Sequence, residues 1–232
     1  MKNRATCAYR YWARRLFLVF SLALAGCAAP RSGGTPVVYD FGPGATQTLP
    51  STRIASLAPL EVSTPQASLA LASNAVLYRL IYTDAQQLRP YALARWSMPP
   101  AQLIGQRLRE QLGRQRPVVS LGEIFRTSPA RQSASAPMVK QEPLLSLRLE
   151  LEEFSQLFET VERSSGLLRL RATVTQRSSA GESLVGQRSF VAKQDAASPD
   201  AAGGVKALSL AADQVIGEIG RASCRERVSI DV

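Results

Sequence analysis

Histidine is absent from this chain of 232 residues, and cysteine occurs three times, so nucleophilic chemistry rests first on the thiols. One of them, Cys27, closes the string Leu24, Ala25, Gly26, Cys27 at the end of an apolar run that follows a basic start. Lys2, Arg4, Arg10, Arg14 and Arg15 precede it with no acidic residue between them, and Leu16 to Leu24 (LFLVFSLAL) is uninterrupted by charge. Nine residues at ~1.5 Å rise span ~14 Å as a helix, well short of a ~30 Å hydrocarbon core. The run is therefore an export signal rather than a membrane span. Ala25 and Gly26 are small enough for a signal-peptidase cleft. The Cys27 thiol is placed to accept a diacylglyceryl group, after which cleavage frees its amine for an N-acyl chain. This is the spacing of a bacterial lipobox. At ~0.8 kcal/mol per buried methylene, three chains anchor far more firmly than one. Ala28 stands where aspartate retains enterobacterial-type lipoproteins in the inner membrane, so alanine there points to the outer membrane, periplasmic face.

The remaining chemistry is sparse. Without histidine there are no Ser/His or Cys/His pairs and no imidazole zinc site. No CxxC and no glycine-rich phosphate loop occurs. Cys7 lies in the export signal and Cys224 near the end, which leaves the exported domain no pair for an internal disulfide. The carboxylates Glu150, Glu152, Glu153, Glu159 and Glu162 alternate with leucines or follow them closely and read as the wet face of a strand. No cofactor or metal is expected beyond the covalent diacylglycerol and N-acyl chain on Cys27.

Charge adds little. Removing residues 1–26 takes away five basic side chains and no acidic one, so the formal charge falls from +10 to +5. Nucleic acid is not an expected partner, since no basic face interleaved with stacking aromatics is present. Arg107, Arg109, Arg114 and Arg116 read mainly as the solvated face and end of a helix, where cations suit the dipole. Arg107 and Arg109 are the candidate contacts to an acidic partner or to lipid headgroups. Arg14-Arg15-Leu16-Phe17-Leu18 resembles the core of a twin-arginine export signal, although two arginines commonly end an n-region and ordinary Sec export is the expectation.

These residues must be carried by elements that composition and periodicity outline. Residues 28–50 hold four glycines and four prolines besides charged and polar residues, and read as a tether from the anchor. Val37 to Phe41 interrupts it with an apolar run that would lie along the domain or a neighbouring subunit. Strands are expected over 52–63, 75–84, Pro90 to Trp96 and Val118 to Phe125. A helix opened by Pro99 and Pro100 carries Ala101, Ile104, Leu108 and Leu112 on one face, with Gly113 as its cap. Residues 127–142 read as a loop. Leu145, Leu147, Leu149 and Leu151 alternate with Arg148, Glu150 and Glu152, while Leu168, Leu170, Ala172 and Val174 alternate with Arg169, Arg171 and Thr173. Two antiparallel strands would then face arginines with glutamates on the solvent side. Leu184 to Ala192 adds a strand, and Val205, Leu208, Ala212, Val215, Ile216 and Ile219 share one face of a helix started by Ser198, Pro199 and Asp200. The fold class is α/β, a single domain with a mixed or mostly antiparallel sheet and two helices packed on one face. Trp96, Tyr78, Tyr82 and Tyr91 read as core between the sheet and the first helix, or alternatively as an apolar contact for lipid or a neighbouring subunit.

The stretches AVLYRLIYTDAQQLRPYALARWSMPPAQLIGQRLREQL, PLLSLRLELEEFSQ and GQRSFVAKQDAASPDAAGGVKALSLAADQVIGEI resemble the ABC-type transport auxiliary lipoproteins. The resemblance covers most of residues 37–220. It rests on the tyrosine-containing strand, Arg95-Trp96 before a proline-opened helix, a leucine-rich strand ending in Phe154 and an alanine-rich final helix. It implies a non-enzymatic partner of MCE-type systems, in which a permease, an ATPase and an MCE-domain protein move phospholipids or other hydrophobic molecules between two membranes, and it implies the option of a homo-oligomeric ring. An outer-membrane assembly or regulatory lipoprotein that activates a cell-envelope enzyme is the alternative. From Glu218 the string EIGRASCRERVSIDV loses the helical period and is similar to a translated sequencing adapter. The expected division is signal peptide 1–26, lipidated Cys27 and tether 27–51, periplasmic domain 52–220 and a non-native tail 221–232.

Replacing Cys27 with alanine is expected to leave an uncleaved or soluble precursor that incorporates no labelled palmitate. Incorporation undiminished by Cys27→Ala would place the acyl acceptor elsewhere.

Overall fold

The computed structural model describes residues 34–44, 57–119, 144–178 and 181–225, and the packed unit begins at Pro36. Nine strands form one sheet: β1 Val37–Tyr39, β2 Leu60–Val62, β3 Gln66–Ala67, β4 Ala75–Leu80, β5 Asp84–Trp96, β6 Val118–Val119, β7 Leu144–Phe158, β8 Ser164–Ser178 and β9 Gly181–Asp195. Among the described residues a 3-10 turn spans Leu69–Leu71, and two helices, α1 Pro100–Gly113 and α2 Ala201–Arg225, accompany the sheet. The class is the α/β arrangement expected, with a mixed sheet.

Strand β7 organises the sheet. Along one edge it pairs with β8 over nearly its whole length, antiparallel, and β8 pairs in turn with β9. Along the other edge it receives three short strands in succession, all parallel: β2 at Leu145 to Leu147, β3 at Glu150 and Leu151, and β4 at Gln156 to Phe158. The β7–β8 register skips one residue between Leu151 and Glu153, a bulge that opposes two residues to one. Since side chains alternate with period two, the bulge moves the buried face from odd to even numbers. Leu147, Leu149 and Leu151 are buried before it, and Phe154, Gln156 and Phe158 after it. The predicted pairing of arginines with glutamates holds: Glu150 lies opposite Arg171 and Glu153 opposite Arg169.

Most other expected elements are present with shifted ends. The strand predicted from Pro90 begins at Asp84. Of 52–63 only Leu60–Val62 is extended among the described residues, and of Val118–Phe125 only Val118–Val119. Residues 52–56, 120–125 and the loop predicted over 127–142 lie outside the described residues. Within the stretch read as a tether, Val37–Tyr39 adds to β5 as a parallel strand, and the Ser97 amide donates to the Tyr39 carbonyl at 2.7 Å. The apolar interruption therefore lies along the domain, where pairing satisfies its backbone and Phe41 enters the core.

Helix α1 starts as expected, with Pro99 in the capping position and Pro100 in the first turn. It does not end on a left-handed glycine: Gly113 is its last helical residue and Arg114, at φ −74°, caps it. Helix α2 is started by Asp200, whose carboxylate accepts the Gly203 amide at 2.7 Å and the Ser198 hydroxyl at 2.8 Å. These bonds to the charged form hold the Asp200 pKa below the ordinary carboxylate value. Despite the lost apolar period, helical backbone continues through Arg225.

The core lies between the sheet and the helices. Leu103, Ile104, Leu108 and Leu112 of α1 and Val205, Leu208, Ala212, Val215, Ile216 and Ile219 of α2 meet Leu60, Leu147, Leu149, Leu168 and Leu170. Helix α2 lies close on β8. A Cβ added to Gly166 would stand 2.7 Å from the Leu208 amide nitrogen and 2.8 Å from the Ala207 carbonyl carbon. One at Gly204 would collide with the Gln156 side chain. Gly166→Val should therefore destabilise the domain by about 1–3 kcal/mol or more through overpacking against backbone that cannot yield. Gly113→Ala, with nothing within 4 Å and no positive φ, should be neutral or stabilising by about 0.5–1 kcal/mol. Urea unfolding of the two variants measures both.

Candidate functional site

Leu24, Ala25, Gly26, Cys27 and Ala28, the lipobox and its sorting residue, lie outside the described residues. Among the described residues no helix is long and apolar enough to cross a membrane.

The basic residues of α1 and its end divide into three kinds. Arg107 is largely enclosed. Its Nε donates to Asp213 of α2 at 3.1 Å, its guanidinium donates to the Phe41 carbonyl at 2.6 Å, and Glu110 lies 3.9 Å away. One side chain thus joins the segment after β1 to both helices. Arg109 makes no ion pair among the described residues and stays partly open. Arg116, expected on a solvated surface, is only 5% exposed and donates through Nε and a terminal nitrogen to the Ala58 carbonyl at 3.0 and 2.6 Å. Its planar fork suits a backbone oxygen that the short strand β2 leaves without a ladder partner. Arg114 is the solvated one, paired with Glu110 one turn earlier.

The predicted aromatic core forms two groups. Trp96 packs edge-on against Phe41 with centroids 5.6 Å apart and lies 5.5 Å from Phe154. Tyr78 stacks near Tyr91 at 4.6 Å and meets Phe158 edge-on at 5.9 Å. Tyr91 also donates to Gln156 Oε1 at 2.8 Å, and the Gln156 amide donates to Ser164 at 2.7 Å. Burial, with Tyr78 and Asp200 nearby, pushes the Tyr91 phenol well above its ordinary value, so it stays a donor to this buried network. Tyr82 does not join them; it sits on the β4–β5 turn, about half exposed.

On the opposite face of the sheet four of the five predicted carboxylates are paired as a wet strand face should be, and Glu162, in the β7–β8 turn, has no basic partner among the described residues. Glu150 and Glu152 pair with Arg171, Glu153 with Arg79, and Glu182 with Arg148. Burial alone would raise the Glu159 carboxyl, but hydrogen bonds from Lys193, Ser165 and its own amide outweigh it and leave the pKa below the ordinary value. The Thr175 hydroxyl, followed by Arg148, does the same for Glu182. Carboxylates held ionised by hydrogen bonds are poor general acids. Among the described residues no cluster of three potential metal ligands occurs.

Among the described residues, a cleft of about 690 Å³ lies between the last turns of α2 and the far end of β7, β8 and β9. Leu60, Leu145, Leu147, Val174, Phe190 and Ile219 form its apolar lining, and Arg116, Arg188 and Glu218 stand among them. The size is that of a small-ligand site, typically ~300–1,000 Å³. The Arg188 guanidinium lies over the Phe190 ring, 4.9 Å from its centroid. Sequence reasoning did not single out this arginine. The signal was present in its parity, because Gly186, Arg188, Phe190 and Ala192 share the strand face on which Phe190 and Ala192 are buried.

Among the described residues the domain combines a mixed nine-stranded sheet, two helices on one face of it and a cleft with an apolar lining. The family model of the ABC-type transport auxiliary lipoprotein component matches residues 39–220, and the chain belongs to that family. Its role in the family is accessory to an ABC-type transport system. A crystal structure of a Xanthomonas campestris protein, described under a family of unknown function, is similar to this chain at 18% identity and a TM-score of 0.55 over 80% of this chain and 90% of that one. A second crystal structure, of a protein described only as uncharacterized, is similar at 18% identity and a TM-score of 0.55, over 82% and 99%. Both likenesses concern the fold. No curated protein matches the sequence.

Arg107→Ala should lower stability by about 1–3 kcal/mol, chiefly because the Phe41 carbonyl loses its donor. The half-exposed pair with Asp213 adds at most ~1 kcal/mol. Arg109→Ala should change stability by less than about 0.5 kcal/mol. Equal losses in thermal and urea unfolding would contradict the distinction drawn between the two arginines.

Proposed function

We propose that this chain is a non-enzymatic accessory subunit, held on the periplasmic face of the outer membrane, of an MCE-type ABC system that moves phospholipid or other hydrophobic molecules between membranes. The observation that carries the reading is the family match, which spans the packed unit from β1 into α2; the string ending in Cys27, read as a lipobox, supports it. In this reading residues 1–26 are removed, the acylated Cys27 is the anchor, Ala28 directs sorting, and the stretch before the domain is the link between them. Permanent anchorage follows from three acyl chains. The partners are an MCE-domain protein with its permease and ATPase, and further copies of this chain in a ring. A chain without histidine has few means of acid–base catalysis at neutral pH, and the apolar cleft suits contact with a hydrophobic molecule or partner.

Membrane fractionation should find the wild-type protein with the outer membrane. Cross-linking in cells should recover an MCE-domain protein, and loss of the gene should sensitise cells to detergent. Full detergent resistance in the deletion strain, or fractionation with the inner membrane alone, would contradict the reading. Leu108→Asp, which buries an unpaired charge at a fully enclosed position, should abolish complementation by unfolding the domain, at a cost of several kcal/mol.

A further inference from the structure

Two tight turns stand side by side at one end of the sheet. Because β4 runs parallel beside β7 with Leu80 opposite Phe158, the β4–β5 turn emerges next to the β7–β8 turn, and the Ile81 amide donates to the Phe158 carbonyl at 3.1 Å. Tight turns favour Gly, Asn, Asp and Ser for conformational reasons. These carry Ile81, Tyr82 and Val161, exposed by 36%, 48% and 70%, and among the described residues none other than glycine has positive φ. No turn geometry therefore asks for these side chains, and exposing them to water is unfavourable. Their support is firm. Arg79 donates to the carbonyls of Ala85 and Gln86 across the first hairpin while pairing with Glu153 of β7. In the second turn the amides of Glu159 and Thr160 donate to the Arg163 carbonyl.

The charge around the tips opposes that of the whole molecule. Glu159 is paired with Lys193, but Asp84, Glu162 and Asp195 have no basic partner among the described residues, and Arg163 is the cation beside them. Three carboxylates against one guanidinium leave this end acidic on a chain whose formal charge without residues 1–26 is +5. Anionic lipid headgroups are repelled by such a rim, whereas lysine and arginine are attracted to it. Apolar tips within an acidic rim also match an interface built of a hydrophobic centre and a polar edge.

We propose that Ile81, Tyr82 and Val161 form a docking point for a partner protein that presents an apolar segment flanked by lysine or arginine. The proposal goes beyond the accessory reading, which names a partner but no surface on this chain, and it stands on the two turns alone.

The test uses the exported protein with its domain intact. The probe is an acetylated peptide amide of sequence Lys-Leu-Val-Leu-Lys, with the same peptide carrying glutamate in place of lysine as the control. Amide chemical shifts should change at residues 79–84 and 158–165. Tyr82→Ser with Val161→Ser should weaken binding at least fivefold, and so should Asp84→Lys with Glu162→Lys. Leu184→Ser, which removes an equally exposed apolar side chain elsewhere, should leave it within twofold, and unchanged melting temperatures exclude unfolding as the cause. A photo-cross-linking residue at position 82 should capture a protein in cells that the same residue at position 184 does not. Equal affinity for the glutamate peptide would overturn the proposal, as would equal loss with Leu184→Ser. Tip-dependent sedimentation with phosphatidylglycerol vesicles would make a membrane the occupant, and tip-dependent self-association would make it a second copy; either result overturns the proposal. Detergent sensitivity of the deletion strain, restored by the tip variants, would leave the accessory reading intact while removing this surface.

Discussion

The seat of α2 on β8 is the constraint on which the rest of the architecture depends. At Gly166 the helix backbone lies so near the sheet that no side chain fits between them. That approach brings Gly204 against Gln156, and Gln156 in turn takes the Tyr91 hydroxyl and gives its amide to Ser164. A buried amide of this kind is costly unless every bond is made. The glycines on helix and strand therefore do more than relieve crowding, because they fix the distance at which a polar network inside the core closes. With α2 so placed, Asp213 is presented to Arg107, and the segment after β1 is tied down through Phe41.

The second organising feature is the unequal use of the two edges of β7. Its antiparallel pairing with β8 is local, joined by one tight turn, and each face matches its own kind: Leu147, Leu149 and Leu151 lie opposite Val174, Ala172 and Leu170, while Glu150 and Glu153 lie opposite Arg171 and Arg169. Its other edge is satisfied by β2, β3 and β4, each a few residues long and all drawn from residues 60–80, distant from β7 in sequence. The bulge at Glu152 lets one strand serve both halves. It keeps leucines inward at one end and turns Phe154, Gln156 and Phe158 inward at the other. The cleft opens at the leucine end and the paired turns stand at the phenylalanine end, so these two apolar features lie at opposite ends of β7.

A domain built this way suits an auxiliary component of an ABC-type transporter. Several of its arginines serve as internal fasteners. Arg79, Arg107 and Arg116 bind backbone carbonyls or bridge elements, and Arg188 lies on an aromatic ring. Little of the basic composition is therefore left as an open patch on α1, and the acidic turn end stands out against it.

The sequence by itself determined the class of fold, the family resemblance and the lipobox reading, because each is written in local patterns. Alternation with period two marks β7 and β8, a 3.6-residue stripe and paired prolines mark α1, and Ser198-Pro199-Asp200 marks the start of α2. Only the tertiary structure decided which edges pair, since β2, β3 and β4 meet β7 through contacts that no local period encodes. It likewise decided the fate of the arginines. Arg107 and Arg116 read as a solvated face because charge normally seeks water, yet each found a carbonyl left over by a short strand or chain segment, and a guanidinium can satisfy such an oxygen without leaving its own charge unpartnered. Tyr82 was grouped with Tyr78 and Tyr91 by nearness in sequence. The turn separates it from them, because a tight reversal directs its own residues outward while the strands on either side direct theirs into the core.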